Sequence, residues 1–326
     1  MNFGLIGLGN YSRNHQRAIE KNGKARLVSA YDVVQSRVDE VAKRSDAKKA
    51  ESVEELVDDP DVQAVIVTTP NEMHFEHFKS CVSRGKHVFV NVPVTAEREE
   101  AEEMLRLVEK HGVVFMAGHN LRKNPAIVHV KKALASGEIG MVHSVEATVS
   151  GTTGYDLTPD NWRYSKETAP LLPFTQMAVV FIDLVLDVFG APEKVAAFMS
   201  KRDGAGDAPD MGMVIAYYED GRMAYIGCSY VSFSSYEISF IGNRGKVTWD
   251  NRDNNSVTLS VPREQHKLVF DKVDEQHEEL IEFIECIEKG RKPSVSGLEV
   301  YNVAECFDCI RRSIETEGAV RFKKLQ

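Results

Sequence analysis

The sequence contains no stretch of 18 apolar residues, no low-complexity tract, no internal repeat and no surplus of basic charge. The first absence removes a membrane-spanning helix from the expectations. The formal net charge of -9 argues against a nucleic-acid backbone or an anionic membrane as partner, because both demand a basic surface. Anionic small molecules stay possible through local sites. Cysteine is sparse: Cys81, Cys228, Cys286, Cys306 and Cys309 are odd in number and scattered among periodic apolar segments. That usage suits a reducing compartment. Cys306 and Cys309 form a C-x-x-C, but "NVAECFDCIRRSIE" reads as mid-helix and has no second pair, so the two are expected to be small helix residues and no metal site is predicted. The start, "MNFGLIGLG", enters an apolar strand without a basic segment or cleavage site, and the expectation is a cytoplasmic protein.

What is present is a change of rhythm along 326 residues, a length that predicts two domains. Up to about residue 120, β-branched runs ("NFGLIGLG", "ARLVSAYD", "AVIVTTP", "HVFVNVP", "VVFMAGH") alternate with helical patterns. Such alternation implies right-handed crossovers and a parallel sheet covered by helices on both faces. After Pro125 one helix, "AIVHVKKALASG", is followed by strand-like runs from "MVHSVEATVSG" to "GKVTWDN", with hairpin turns at "EDGR" and "GNRG". Two helical segments, 274–289 and 298–317, close the chain. The predicted fold is α/β: a doubly wound parallel domain over residues 1–121, then an α+β domain over 122–326 with an open, mostly antiparallel sheet. The last helices are expected to pack back on the first domain.

The first strand runs directly into Gly7-x-Gly9-x-x-Ser12, which opens the first helix. Gly7 permits the tight turn, Gly9 lets the backbone approach a pyrophosphate at the positive helix end, and Ser12 is small enough for close helix packing. The second strand ends at Asp32, 23 residues beyond Gly9, where a carboxylate accepts the ribose hydroxyls of NAD and repels a 2'-phosphate. NAD is therefore favoured over NADP, although Arg37 lies close enough to complicate the choice. Asn10 and Tyr11, inside the turn, join the candidate cofactor contacts.

Seven segments, in order, resemble the Gfo/Idh/MocA oxidoreductases: "GLIGLGNYSRNH", "VIVTTPNEMHFEH", "GKHVFVNVPVT", "FMAGHNLRKNPAI", "GEIGMVHSVEA", "TQMAVVFIDLVLDVFG" and "IEKGRKPSVSGLE". The resemblance implies a Rossmann domain, a C-terminal domain whose sheet builds a homo-oligomer (dimer or tetramer), and hydride transfer between nicotinamide and a sugar-like alcohol. It also implies that Thr69, Pro70, Asn71 and His74 border the cofactor, together with Asn91, Asn120 and Arg122. By residue chemistry alone, Asn71 could instead cap the following helix. Trp162 and Arg163, in "NWRYSKE", match a loop that reaches toward the nicotinamide side.

The departures are specific. Where the family has Glu-Lys-Pro, this chain has Asn91-Val92-Pro93, and where the family has Asp or Gln, three residues and then His, it has Gln176 and Val180. Both family proton carriers are thus replaced by valine. A positioned base is worth about 10²- to 10⁴-fold in oxidising an alcohol. Val92, Leu171, Leu172, Phe174, Met177, Val180 and Phe181 are expected to make the substrate pocket apolar, with part of the set serving ordinary helix packing. Lys123, His119, Tyr155 and Tyr164 are the nearest substitutes for the missing base. Three functions follow: an oxidoreductase with substitute groups, a catalytically degenerate dinucleotide-binding protein, or redox-neutral use of bound NAD.

Overall fold

The computed structural model describes residues 1–325, which divide into two compact units, one of Met1–Asn120 with Asp274–Tyr301 and one of Leu121–Val273 with residues 302–325. The first unit begins with β1 (Asn2–Ile6), α1 (Ser12–Lys21), β2 (Arg26–Tyr31), α2 (Gln35–Ser45), β3 (Lys48–Lys49) and α3 (Val53–Asp58). It continues with β4 (Ala64–Val67), α4 (His74–Ser83), β5 (His87–Asn91), α5 (Arg98–His111) and β6 (Phe115–Gly118). All six strands pair in parallel in the order β3-β2-β1-β4-β5-β6. That order reverses between β1 and β4, and ligands of such sheets gather at the carboxyl ends beside the reversal. The expected doubly wound domain is therefore present.

Burial explains why these runs are strands. Residues of β4 are buried without alternation, as strands covered on both faces must be. Phe3, Leu5, Ile66, Phe89 and Met116 form one core with Leu280, Phe283 and Ile284, which belong to a later helix. Helix ends follow local chemistry: Ser52 Oγ accepts the Glu55 N–H at the start of α3, and Gly112, with φ of 64°, ends α5.

The second unit holds α6 (Pro125–Ser136), β7 (Val142–Ser150), α7 (Val179–Phe189), β8 (Lys194–Ser200), β9 (Met211–Tyr217) and β10 (Met223–Ser229). The hairpin strands β11 (Ser235–Gly242), β12 (Lys246–Asp250), β13 (Ser256–Val261) and β14 (Glu264–Val269) follow. The chain ends with α8 (Glu275–Lys289), α9 (Gly297–Thr316) and β15 (Val320–Arg321), so α8 falls within the first unit and most of α9 within the second. The nine-stranded sheet runs β14-β13-β12-β11-β7-β10-β9-β8-β15 and is antiparallel except where β7 meets β10. Its core is aromatic: Phe181, Tyr236 and Trp249 pack mutually with centroids 5.2 to 6.3 Å apart.

Two differences from the sequence expectations stand out. The sheet extends past residue 250 by β13 and β14, and every residue of β14 is exposed. A strand with no buried face carries no alternation to read. The second concerns the expected apolar pocket wall. Leu171, Leu172, Phe174 and Phe181 are 4% exposed or less, so they are the part of that set that serves core packing.

Candidate functional site

In the first unit the turn after β1 is built around Gly7, whose φ of +88° and whose nearest neighbour, Thr69 N, 2.8 Å from where a Cβ would stand, both require glycine. Thr68 Oγ1 donates to Gly7 O at 2.6 Å, tying this turn to the end of β4. Ser12 is buried, and its hydroxyl donates to Gly9 O at 2.6 Å while accepting from Gln16 Nε2 at 3.0 Å. Ser12 thus locks the turn as well as allowing close packing. A Cβ at Gly9 would meet nothing within 4 Å, so the backbone there faces open space. No side chain caps α1 and no acidic residue sits in its first turn, leaving its positive end available to an anion. Asn10 and Tyr11 are exposed beside it, and the Tyr11 hydroxyl accepts from Gln276 Nε2 at 3.1 Å.

Asp32 lies at the end of β2 with 6% of its side chain exposed. Its Oδ2 accepts the Leu8 N–H at 2.6 Å, and its Oδ1 accepts the Val34 N–H at 2.8 Å and faces Arg37 Nη1 at 3.4 Å. A carboxylate has about four acceptor positions, so Oδ2 keeps one for a hydroxyl donor. An open Gly9 backbone, an uncapped helix start and a preorganised carboxylate together fit a dinucleotide.

The loop after β4 is fastened by His74. Its Nδ1 lies 2.8 Å from Pro93 O and its Nε2 2.8 Å from Thr69 O, and burial pushes its pKa down to about 4. A neutral imidazole carries one N–H, so His74 donates to one of these carbonyls and packs against the other, between the two loops. Thr69 Oγ1 lies 3.1 Å from His77 Nδ1, and Pro70 and Asn71 remain half-exposed. Asn71 caps neither the short turn it begins nor α4, contrary to the capping alternative. At the end of β5, Asn91 and Val92 are half-exposed, and Asn91 Nδ2 reaches Val92 O only at 3.5 Å. Asn120, beyond β6, donates from Nδ2 to Glu275 Oε2 on α8.

Sequence reasoning missed three residues here: His15, Glu275 and Gln276. Buried His15 packs edge-on to Phe89 at 5.1 Å, and burial, outweighing an opposing effect of Asn91, lowers its pKa to about 4. His15 Nε2 and Asn91 Oδ1 both lack a well-formed hydrogen bond. The contacts of Glu275 and Gln276 join residues 155 and 265 positions apart. No local pattern announces them.

In the second unit, Arg122, which the resemblance placed beside the cofactor, is held in an ion pair. It donates from Nε and Nη2 to Asp183 at 2.7 and 2.6 Å and from Nη1 to Asp187 at 3.0 Å. Two carboxylates on one face of α7 hold the planar guanidinium from below, and only 10% of its side chain is exposed. Trp162 and Arg163 form a short turn in which Asn161 Oδ1 accepts the Arg163 N–H at 3.0 Å. The guanidinium carbon sits 4.3 Å from the Trp162 ring centroid, and Nε and Nη2 both donate to Gln176 Oε1, at 3.1 and 2.7 Å. The structure thus brings Trp162, Arg163 and Gln176 together. Gln176 lies in a π-helical turn, Phe174–Ala178, that feeds α7, and Val180 is half-exposed in the first turn of α7. Turns of this kind recur at functional sites.

The substitute proton carriers fare unequally. The Tyr155 hydroxyl lies 3.2 Å from Asp203 Oδ1 and 3.1 Å from Val231 O, and its one proton is committed to these acceptors. Tyr164 is half-buried with its carbonyl accepting from Asp207 and Ala208, Lys123 ends a short turn before α6, and His119 is buried in the first unit. A cavity of about 650 Å³ lies elsewhere, between Lys131, Met141, His143, Phe189 and Arg222. Its charged walls are paired internally, Lys131 with Asp187 and Arg222 with Asp220.

All five cysteines are free and buried, and burial raises the Cys306 thiol to about 12 and Cys309 above its usual range. That is the opposite of a reactive thiolate. Among the described residues, no helix is long and apolar enough to cross a membrane.

Comparison with known proteins agrees with this geometry. Residues 1–119 match the family model described as "Oxidoreductase family, NAD-binding Rossmann fold", and residues 127–248 match the "GFO/IDH/MocA C-terminal domain". Myo-inositol 2-dehydrogenase of Thermotoga maritima is 25% identical over 339 residues, covering 100% of this chain and 99% of that protein. The scyllo-inositol 2-dehydrogenase (NADP(+)) of Bacillus subtilis is 32% identical over 197 residues, 60% of this chain and 54% of its own. A solved levoglucosan dehydrogenase in complex with NADH superposes with a TM-score of 0.90 at 21% identity, covering 100% of both chains, which is a likeness of fold. With both of its domain models matched in order, the chain belongs to the Gfo/Idh/MocA family of oxidoreductases and carries that family's NAD-binding Rossmann domain.

Proposed function

We propose that this protein transfers hydride between the nicotinamide of NAD and a secondary alcohol of a sugar-like molecule. Asp32 is the single observation that carries the reading. Its carboxylate is already fixed by the Leu8 and Val34 amides and retains an acceptor position for a ribose hydroxyl. A 2'-phosphate would meet that negative charge, so NAD is the cofactor of choice and Arg37, already paired to Asp32, does not reverse the preference. Gly7, Gly9, Asn10, Tyr11 and Ser12 would line the pyrophosphate, and Thr69, Pro70, Asn71, Asn91 and Asn120 the rest of the cofactor's path. When bound, the nicotinamide supplies the hydride acceptor. The first unit serves the cofactor, and the second serves substrate and assembly.

The exposed apolar row Phe198, Met213, Ile215, Tyr217 and Met223 on β8 to β10 supports a homo-oligomer formed through that sheet face. Five reduced, buried cysteines suit a cytoplasmic setting.

Gly9→Ala separates fold from function. The open space around Gly9 predicts a stability change within about 0.5 kcal/mol, whereas NADH affinity should drop at least about tenfold because the methyl stands where the pyrophosphate approaches. Fluorescence titration with NADH and urea unfolding measure the two effects. Equal affinity in the variant would remove the turn from the cofactor site. Asp32→Ala should likewise weaken NADH by about ten- to a hundredfold and bring NADPH to comparable affinity. A variant that keeps the preference would refute the role given to Asp32.

A second reading is favoured by Val92 and Val180, which offer no proton at either family position. In it the protein binds dinucleotide without turnover. A panel of sugars, polyols and sugar acids assayed for NADH appearance decides between the two. Turnover of any member supports the enzyme, and saturable NADH binding without turnover supports the binding protein.

A further inference from the structure

Arg163 differs from the other half-buried or buried arginines of its unit by having no carboxylate to answer it. Arg122 is held by Asp183 and Asp187, and Arg222 by Asp220. The Arg163 guanidinium instead rests on the Trp162 ring at 4.3 Å and spends Nε and Nη2 on the neutral amide oxygen of Gln176. The remaining group that acts on it is the Tyr230 hydroxyl, and among the described residues it forms no ion pair. Tyr230 is itself buried, in a small cluster with Ala169, Leu172 and Ala208 against which Trp162 and Met177 pack. A cation in such surroundings has given up water without gaining a counter-charge.

The chain nevertheless holds this arginine firmly. Asn161 Oδ1 accepts the Arg163 N–H at 3.0 Å, and Thr168 Oγ1 donates to Trp162 O from the other side of the turn. Gln176 is positioned by the π-helical turn rather than by a regular helix, which sets its oxygen opposite the guanidinium. Tethering through Nε and Nη2 leaves further guanidinium N–H groups for a partner, since the group carries five. An arginine that is rigid, stacked, half-buried and uncompensated is arranged to receive an anion.

We propose that Arg163 is the anchor for a carboxylate on the molecule this unit binds, so that the ligand is a sugar acid rather than a neutral polyol. The proposal rests on the reading of the Trp162-to-Gln176 segment as the substrate side of an oxidoreductase. A single positive charge without a neighbouring paired cation matches a monoanionic carboxylate better than a phosphate dianion. Tyr230, whose burial raises its pKa to about 12, stays a neutral hydroxyl able to donate to the same group. Planar guanidinium and planar carboxylate also match as a fork, with the Trp162 face keeping the plane fixed.

The chain has two tryptophans, and Trp249 is fully buried, so a ligand at Arg163 is reported by Trp162 emission. The full-length protein is titrated with D-glucuronate and D-galacturonate, with glucose and galactose as neutral matches, and with glucose 6-phosphate as the phosphate arm. Saturable quenching by the uronates, at least tenfold tighter than by the neutral sugars, is expected in the wild type. Arg163→Gln should abolish that difference. Gln176→Glu provides a second variant that keeps the turn intact: an internal carboxylate would neutralise Arg163, and uronate affinity should fall at least tenfold in a protein that unfolds at the same or higher urea concentration. Equal binding of uronates and neutral sugars, uronate binding unchanged in both variants, or tighter binding of the sugar phosphate would each overturn the assignment. NADH titration run in parallel keeps the two readings apart: loss of cofactor binding with retained uronate binding defeats the oxidoreductase and leaves the anion site standing.

Discussion

Lowering the pH from 7 to 4.5 should strip on the order of 5 kcal/mol from the stability of the cofactor-free first unit, with His15 and His74 as the main sources. Both imidazoles are buried and both are held down to a pKa of about 4, with burial the first cause in each case. In the unfolded chain they titrate near the ordinary value of about 6.5. Between the two values the unfolded state binds more protons than the folded one, so stability rises with pH across this window and is lost as pH falls. Above about 6.5 the contribution is complete. His77 and His87, whose pKa values burial also lowers, add to the same slope, and Glu100, raised by burial, opposes it, whereas Asp210 and Asp274, held below the ordinary carboxylate value, lose their contributions only at lower pH. Urea unfolding followed at several pH values between 7.5 and 4.5 measures the slope. His15→Phe preserves a ring against Phe89 and removes a proton site with no completed hydrogen bond at Nε2, so the variant should show a clearly shallower pH dependence. An unchanged slope in that variant would show that His15 does not titrate between its folded and unfolded states as stated.

Replacing Arg122 by Met should destabilise the second unit by about 3 to 5 kcal/mol, because it removes the cation that two hydrogen bonds hold against the buried Asp183 carboxylate. Asp183 is 2% exposed, and Arg122 reaches it through two hydrogen bonds of 2.6 and 2.7 Å. Asp187 suffers less, because Lys131 approaches it at 2.5 Å. The prediction is specific to the charge and not to lost packing, since methionine restores most of the arginine stem's volume. Asp183→Asn added to Arg122→Met should therefore recover most of the loss, a coupling that a double-mutant cycle in urea reads directly. A single-variant cost below about 1 kcal/mol would place the pair among the weak surface bridges.

Much of the first unit was legible because local rules and global fold agree there. Gly7 is required by backbone geometry, Asp32 by its place after the second strand, and the alternation of strand and helix by the need to bury both faces of a parallel sheet. The same local reading failed where exposure erased the pattern, as in β14, and where it could not tell a pocket wall from a core. Leu171, Leu172, Phe174 and Phe181 are apolar in either role, and only their burial against the second unit's sheet decides. Asn71 shows the limit of residue type: it suits a cap, yet it is the first residue of its turn and Pro70 holds the cap position.

By itself, the sequence determined the family, the order of strands and helices, the dinucleotide turn and the loss of both proton-carrying side chains at Val92 and Val180, because each is a matter of residue type at a fixed position. Tertiary structure alone decided what each polar side chain is committed to. It joined Arg122 to Asp183 across 61 residues, Asn120 to Glu275 across 155, and His74 to the carbonyls of Thr69 and Pro93. It also left Arg163 with neutral partners only. The reason is physical: hydrogen bonding and charge compensation act through space over a few ångströms, while the residues that supply them are separated along the chain by distances that no local periodicity encodes.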